Sequence, residues 1–198
     1  MSFYFLGERL VVDLLNTVIA PDGRVQDLLG TREELAAWAR ASGLAQPGEL
    51  RSSSPRLRRE PGTLRIFREQ LRRGLLAWAA SGRPSRTLVT RLNRELGRGQ
   101  ERMEIGVRQG RAVIRRRAQG SPLDRLYAAV ARSGAELLAS GAPRRLRKCA
   151  NPSCRLMFYD VSKAGRRRWC SMQMCGARSK VRAWYLRRRR DPRARTGR

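Results

Sequence analysis

The sequence predicts an α+β fold, in which a mostly helical N-terminal domain with one β-hairpin precedes a small cysteine-rich module. Three patterns predict it. Apolar residues recur at intervals of three and four through most of residues 10–140, which is the period of an α-helix. Between residues 103 and 117 they alternate instead, as in a strand. All four cysteines lie beyond residue 148, and this clustering marks a second module.

The first two helices are predicted from apolar spacing and from end signals. One apolar face of the first helix is formed by Leu10, Leu14, Leu15 and Val18. The second helix begins at Thr31, whose side chain can form a capping box with Glu34, and it ends at Gly43. Residues 44–60 contain Gln-Pro-Gly and Ser-Ser-Ser-Pro sequences, which predict a loop.

Three more elements follow before residue 142. A long helix ending at Ser81-Gly82 has apolar positions at Leu64, Phe67, Leu71, Leu75 and Trp78. The next helix runs from Ser85 to Leu96 and is expected to bury Leu88, Val89 and Leu92. Met103, Ile105 and Val107 alternate up to a Gln109-Gly110 turn, and Val113 with Ile114 continues a returning strand. Ser121-Pro122 begins a last helix, which ends at Gly141. The apolar side chains of these elements are expected to form the core.

Charge divides the chain at the same place as the cysteines. The formal net charge is +28 without any histidine, and residues 144–198 hold 19 basic and only two acidic residues. We therefore predict an N-terminal domain over residues 1–143, a four-cysteine module over 144–190 and a basic tail over 191–198. Such a positive excess favours a nucleic acid as the partner. An acidic membrane surface is the weaker alternative, because no basic amphipathic helix with a broad apolar face is present.

Several other classes of protein are disfavoured. The longest apolar runs, such as 75–80, are too short to span a bilayer, so no membrane partner is expected. The N-terminus lacks the pattern of a secretory signal, which predicts a cytoplasmic location. Without histidine the chain lacks the commonest general base, and we expect no enzymatic activity. A metal-dependent nuclease using Asp13 and Asn16 is the catalytic alternative, although both side chains can equally serve helix hydrogen bonding.

The cysteines form two pairs at metal-binding spacing. Four residues separate Cys149 from Cys154, four separate Cys170 from Cys175, and fifteen lie between the pairs. Four thiolates favour one structural zinc ion. A module of this size has too small a hydrophobic core to fold without a cross-link such as a bound metal. Two disulfides, an iron–sulfur cluster or four thiols without a ligand are the alternatives. The first requires an oxidising compartment and the second usually has more closely clustered ligands.

The order of elements within the module predicts a treble-clef zinc finger. Asn151-Pro152 suits a tight turn between the first two ligands. The fifteen-residue insert is expected to form a hairpin, with strands over 156–159 and 166–169. A helix is predicted over 176–190, with Val181, Trp184 and Tyr185 on one face.

Three segments of this module resemble the CGNR zinc-finger family, named for a Cys-Gly-Asn-Arg motif at the last ligand. They are residues 147–154, 167–172 and 175–178. Residues 12–17, Val-Asp-Leu-Leu-Asn-Thr, resemble the start of the ABATE domain that precedes this finger. The resemblance covers nearly the whole chain. It implies a bacterial stress-response regulator of transcription, whose finger binds DNA and whose ABATE domain senses an unknown small-molecule effector. One position departs from the motif: Ala177 replaces the family's Asn and removes the hydrogen bonds of that amide.

A DNA-binding regulator of transcription is the function that these observations favour. We expect the nucleic acid to be contacted by basic residues near the metal, namely Arg166, Arg167, Arg168, Arg178, Lys180 and Arg182. Residues 187–190 are either an ordered contact or a solvated tail. The alternative is an RNA- or ribosome-binding zinc protein, in which Trp169, Trp184 and Tyr185 stack on bases. At this spacing, however, such aromatic side chains are more often core residues.

Overall fold

The structure is a computed structural model that describes residues 3–50 and 59–190. Its helices are α1 (Leu10–Leu15), α2 (Arg32–Ala41), α3 (Glu60–Ser81), α4 (Arg86–Leu96), α5 (Pro122–Ser140) and α6 (Ala177–Arg190). Antiparallel pairs join β1 (Val18–Ile19) to β2 (Gln26–Asp27), β3 (Glu101–Arg108) to β4 (Arg111–Ala118), and β5 (Leu146–Lys148) to β6 (Met157–Tyr159). The α+β prediction is confirmed, whereas the treble clef stays a prediction. None of the helices in these ranges is long and apolar enough to cross a bilayer.

Most of the predicted helix ends are confirmed by their capping contacts. Thr31 and Glu34 form the expected capping box at the start of α2, and Ser121 does the same with Asp124 at the start of α5. At the end of α3, Gly82 adopts a left-handed φ of 76°, which a glycine accepts without steric cost. The two capping boxes pair N–H groups that a helix start leaves without a partner, and each such N-terminal cap contributes about 1 kcal/mol.

One hydrophobic cluster holds the helices together and continues into the cysteine module. α1 lies at its centre, with Val11, Val12, Leu14 and Leu15 fully buried. The cluster also contains side chains from beyond residue 143, which are Leu146 of β5 and Met157 and Tyr159 of β6. The hairpin of the cysteine module therefore packs directly on the N-terminal helices.

Two details of the helical region differ from the expectation. α1 ends at Leu15, so Val18 lies in β1 instead of on the helical face. Val89 was expected to be buried but is 38% exposed. Glu95, six residues later in α4, is completely buried. The carboxylate of Glu95 lies 3.2 Å from Arg91 and 2.7 Å from Arg98, and these two guanidinium groups compensate its burial.

The hairpin of β3 and β4 has the predicted turn but not the predicted environment. Gln109 and Gly110 have φ values of 51° and 74°, as a two-residue type I′ turn requires. The alternating apolar side chains were expected in the core, yet they are among the most exposed in the described structure. The exposed fractions are 69% for Met103, 81% for Ile105, 70% for Val107 and 74% for Ile114. That part of the prediction is wrong, because the hairpin extends away from the helices.

The loop and tail predictions are only partly covered by the structure. Residues 51–58 of the predicted loop and the predicted basic tail over 191–198 lie outside the described residues. The segment 187–190 belongs to α6, which continues to Arg190.

Candidate metal centre and nucleic-acid interface

The four cysteine thiols meet at one point. Their sulfur atoms all lie within 4.8 Å of one another, and each cysteine is a free thiol. The Sγ of Cys170 lies 3.8 Å from that of Cys154 and 3.6 Å from that of Cys175. A tetrahedral zinc ion with Zn–S bonds of about 2.3 Å requires sulfur atoms about 3.8 Å apart. The cluster therefore fits one structural zinc ion, held by Cys149, Cys154, Cys170 and Cys175.

Short backbone turns place the ligands. The N–H group of Cys154 donates to the carbonyl of Asn151 at 2.9 Å, which closes the tight turn that was predicted at Asn151-Pro152. Asn151 also donates from Nδ2 to the Sγ of Cys175 at 3.6 Å. The N–H group of Cys170 donates to the Sγ of Cys149 at 3.5 Å. These donors stabilise negative charge on sulfur and orient the ligands for a metal.

Cys175 lies in a single π turn, Met172–Gly176, that leads directly into α6. Ser171 caps this turn by accepting a hydrogen bond from the N–H group of Met174 at 3.3 Å. Gly176 packs so closely that a Cβ atom there would lie 2.9 Å from the sulfur of Met172. Ala177, which replaces the family's Asn, is exposed at the first position of α6.

Proton affinities differ strongly within the cluster. The hydrogen bond between Cys154 and Cys170 lowers the pKa of Cys154 to about 5. The same hydrogen bond raises the pKa of Cys170, and burial raises the pKa of Cys175 to about 11. Without a cation, a thiolate is therefore favoured at Cys154 and disfavoured at Cys170 and Cys175. A metal ion must therefore displace the remaining protons, so its affinity should fall as the pH is lowered.

The segment that returns to Cys170 is held differently from the prediction. Strand β6 pairs with β5, and residues 166–169 form no strand with it. The cause is the fully buried carboxylate of Asp160, which accepts hydrogen bonds from the N–H of Arg167 at 2.9 Å and from the N–H and hydroxyl groups of Ser162. These hydrogen bonds lower the pKa of Asp160. The N–H group of Ala150 then donates to the carbonyl of Arg168 at 2.8 Å.

Of the three arginines at 166–168, Arg167 uses its guanidinium for contacts within the protein. The guanidinium of Arg167 lies 4.5 Å from the ring centroid of Phe158 and 2.9 Å from the carboxylate of Glu8, and it donates to two backbone carbonyls. Arg166 and Arg168 are exposed. Arg167 therefore braces the metal site, and its two neighbours remain accessible.

α6 and the turn between the first two ligands enclose an open basic groove of about 710 Å³. Its arginines are Arg178 and Arg182 of α6 and Arg155 next to Cys154, and among the side chains that the structure describes no acidic one lines it. The predicted residue Lys180 is exposed on α6 but does not line this groove. Arg155 was missed by the sequence reasoning, although its position directly after a metal ligand was an available signal.

The aromatic residues of the finger have two different environments. Trp169 is half-buried against the cysteine cluster and donates from Nε1 to Ser179 at 3.0 Å. Trp184 and Tyr185, in contrast, are 45% and 59% exposed, so their interpretation as core residues is wrong. Their rings meet edge to face at 4.9 Å, and the guanidinium of Arg188 lies 4.8 Å from the centroid of Trp184.

Two family profiles match the chain, one on each side of residue 143. The profile of the ABATE family, described as "Putative stress-induced transcription regulator", matches residues 8–141. The chain belongs to the ABATE family. The profile of the CGNR zinc finger matches residues 145–188 of this ABATE protein, which contain the four cysteines and the groove arginines. No curated protein matches the chain.

Asp13 and Asn16, the two residues of the nuclease alternative, both form hydrogen bonds with backbone groups. Asn16, which is 1% exposed, donates from Nδ2 to the carbonyl of Met157 at 2.9 Å and accepts from its N–H at 2.8 Å. Asp13 accepts from the N–H of Gly7 at 2.7 Å. Burial raises the pKa of Asp13 to about 6. Asn16 thus fastens the ABATE domain to strand β6 of the zinc finger.

Proposed function

We propose that this ABATE protein is a zinc-dependent DNA-binding regulator, whose CGNR finger contacts DNA through the groove beside α6. The observation that carries the proposal is the set of three arginines that line this groove next to the metal ligands, with no acidic side chain among the lining residues that the structure describes. Guanidinium groups are suited to phosphate because their fixed donors match its oxygen atoms. The net charge of +28 adds a long-range attraction for a polyanion.

Within this proposal, the metal site positions the groove arginines before DNA arrives. Arg178 and Arg182 lie one turn apart on the same side of α6, and Arg155 approaches from the turn that ends at Cys154. A bound zinc ion supplies a structural cross-link between the turn and the start of α6. Side chains on two fixed elements lose less conformational freedom on binding than side chains on a free tail. Arg166, Arg168 and Lys180, all exposed, add phosphate contacts around the groove.

The role that we propose for the ABATE domain is regulatory and not catalytic. The regulatory role is supported by the family description, "Putative stress-induced transcription regulator". A small-molecule effector of this domain stays a prediction from the resemblance. A non-catalytic role is supported by the absence of histidine from the sequence and by the backbone contacts that occupy Asp13 and Asn16. Incubation of the protein with duplex DNA and magnesium should leave the DNA intact. Cleavage by the purified chain would contradict this part of the proposal.

The DNA contact is tested by fluorescence anisotropy with a labelled duplex over a range of salt concentrations. Each of Arg178→Ala and Arg182→Ala should weaken binding and reduce the slope of log K against log salt by about one unit. The matched control is Arg83→Ala, which removes one exposed arginine from the loop after α3. Zinc content and thermal unfolding must equal those of the parent. If folded, zinc-loaded groove variants bind like the parent, the groove is not the DNA contact.

RNA binding is the second candidate, and the exposed pair Trp184 and Tyr185 favours it. A base stacked on an aromatic side chain contributes about 1–3 kcal/mol, which is about tenfold to a hundredfold in affinity. Affinities for duplex DNA and for single-stranded RNA at matched salt separate the two candidates. Under RNA binding, Trp184→Ala should weaken the RNA complex strongly and the duplex complex little. Under DNA binding, the duplex should remain the tighter ligand.

A further inference from the structure

The hairpin of β3 and β4, here called the ribbon, carries an apolar face that the described structure leaves uncovered. Directly opposed residues of an antiparallel pair share a face. The register places Ile105 opposite Ile114, Val107 opposite Ala112, and Met103 opposite Arg116. These five apolar side chains therefore form one face, and all of them are exposed.

The other face of the ribbon is basic. Its arginines are Arg102, Arg108, Arg111, Arg115 and Arg117. Glu104 lies among them, 3.8 Å from Arg102 and 3.4 Å from Arg117. The charges of the apolar face are confined to the base of the ribbon, where Glu101 lies 3.9 Å from Arg116. Covering the apolar face therefore buries little charge.

An uncovered face of this kind indicates a protein partner. A two-stranded hairpin alone is only marginally stable in water, and contiguous exposed apolar patches mark sites of association. DNA would be attracted to the arginine face and would leave the apolar face in water. Segments that lie in a membrane interface carry Trp, Phe or Leu on the face that enters the bilayer. The apolar residues of this face are Met, Ile, Val and Ala instead. The surface that fits it must be apolar, of equal length and free of charge at its centre.

We propose that the apolar face of the ribbon binds the same face of a second copy of this chain, with the two ribbons stacked in opposite directions. A two-fold axis through the pair Ile105 and Ile114 places isoleucine on isoleucine. It also places the charged base of each ribbon over the tip of the other, where Ala112 leaves space for Arg116. Such an isologous contact satisfies both copies and closes without further growth.

The size of the face sets the strength of the association. Two strands of eight residues cover about 27 by 10 Å, or about 270 Å², whereas a standard interface buries about 800 Å² on each partner. Each chain also carries a net charge of +28, so two copies repel each other. The dimer should therefore be weak, with a Kd in the range of about 10 µM to 1 mM. It should strengthen as salt is added, because salt screens repulsion but does not weaken apolar contact.

The experiment is sedimentation equilibrium of the full zinc-loaded chain without nucleic acid, at protein concentrations up to about 0.5 mM and in low and high salt. The parent should dimerise more tightly in high salt. The double variant Ile105→Thr with Ile114→Thr keeps β-branched residues in both strands, and its Kd should rise at least tenfold. The matched control is Val25→Thr, which changes another exposed valine, 62% accessible, outside the ribbon. The control should dimerise like the parent.

Three results would overturn the proposal. One is a parent that stays monomeric at every concentration and salt; another is a threonine variant that dimerises like the parent. The third is a monomeric parent whose ribbon variant loses binding either to duplex DNA or to vesicles of phosphatidylcholine with phosphatidylglycerol, since either ligand would then be the occupant. Because sedimentation is measured without DNA, failure of the dimer and failure of the proposed function remain distinguishable.

Discussion

At the scale of single residues, one short polar side chain fastens the ABATE domain to the backbone of the finger. Asn16 pairs with both backbone groups of Met157, and all of these atoms are buried. Neither contact was predicted, because nothing in the local sequence shows which distant strand an amide meets. The capping residues Thr31 and Ser121, in contrast, were predicted because their partners lie three residues away.

Replacement of Asn16 by Ala should destabilise the protein by about 2–4 kcal/mol, because it leaves a buried N–H and a buried carbonyl without partners. Urea unfolding followed by circular dichroism measures this free energy. Asn93→Ala, at an exposed position in α4, is the control and should change it by less than about 0.5 kcal/mol. We call the two hydrogen bonds between Asn16 and Met157 the clamp at Asn16. If Asn16→Ala lost no more unfolding free energy than the control, the clamp would contribute nothing to stability.

Asp13 should make stability depend on pH in a predictable direction. Its pKa is raised from 3.8 to about 6 by burial, so the folded state binds the proton more tightly than the unfolded chain. This group therefore favours folding at low pH, and its contribution is lost as the pH rises through 6. Asp13→Asn keeps an oxygen acceptor for Gly7 but carries no charge. Its Tm should exceed that of the parent by about 2–4 °C at pH 8, and the difference should shrink at pH 4. A difference that is constant with pH would contradict the assignment.

At the scale of elements, the predictions succeeded where the signal was local. The ends of α3 and α5 and the turn at Gln109-Gly110 were all found, because each depends on residues within a few positions. The pairing of β5 with β6 was missed, because the carboxylate of Asp160 holds the segment at Arg167 and leaves β5 as the partner of β6. The exposure of Trp184 on α6 was also missed. The helical spacing of apolar residues shows which side chains share a helix face, but it does not show whether another element covers that face.

Removal of the metal should loosen the elements that the cysteines join. Trp169 packs against the cysteine cluster, so a strong chelator should shift its fluorescence to longer wavelength as water reaches the ring. α6 should lose helical signal in the same experiment. In Trp169→Phe most of the fluorescence change should vanish while the loss of helix remains. Unchanged spectra after verified zinc removal would mean that the metal does not hold these elements.

At the scale of the whole molecule, the division of the sequence near residue 143 does not divide the core. Leu146, Met157 and Tyr159 of the finger belong to the hydrophobic cluster of the ABATE domain. Conversely, Phe3, Leu6 and Ile19 pack around the cysteines. Composition and cysteine spacing located the finger, but they contain no information about which surface of it is buried.

A fragment of residues 144–198 should bind zinc more weakly than the full chain. Each of the three apolar side chains that it exposes to water corresponds to about 1.5–3 kcal/mol of lost burial, and the contacts of Asn16 are lost as well. Competition with a chromophoric chelator should show an apparent affinity at least about a hundredfold lower. The reference is the full chain under identical conditions. Equal affinities would show that the finger folds without help from the ABATE domain.

The clamp at Asn16 has a consequence for how the two parts of the chain can evolve. Its partners on the finger are the N–H and carbonyl groups of residue 157, which every amino acid except proline provides. The identity of the side chain at 157 is therefore irrelevant to these two hydrogen bonds. Substitutions that keep the buried positions of the finger apolar can therefore accumulate while these two hydrogen bonds are inherited unchanged.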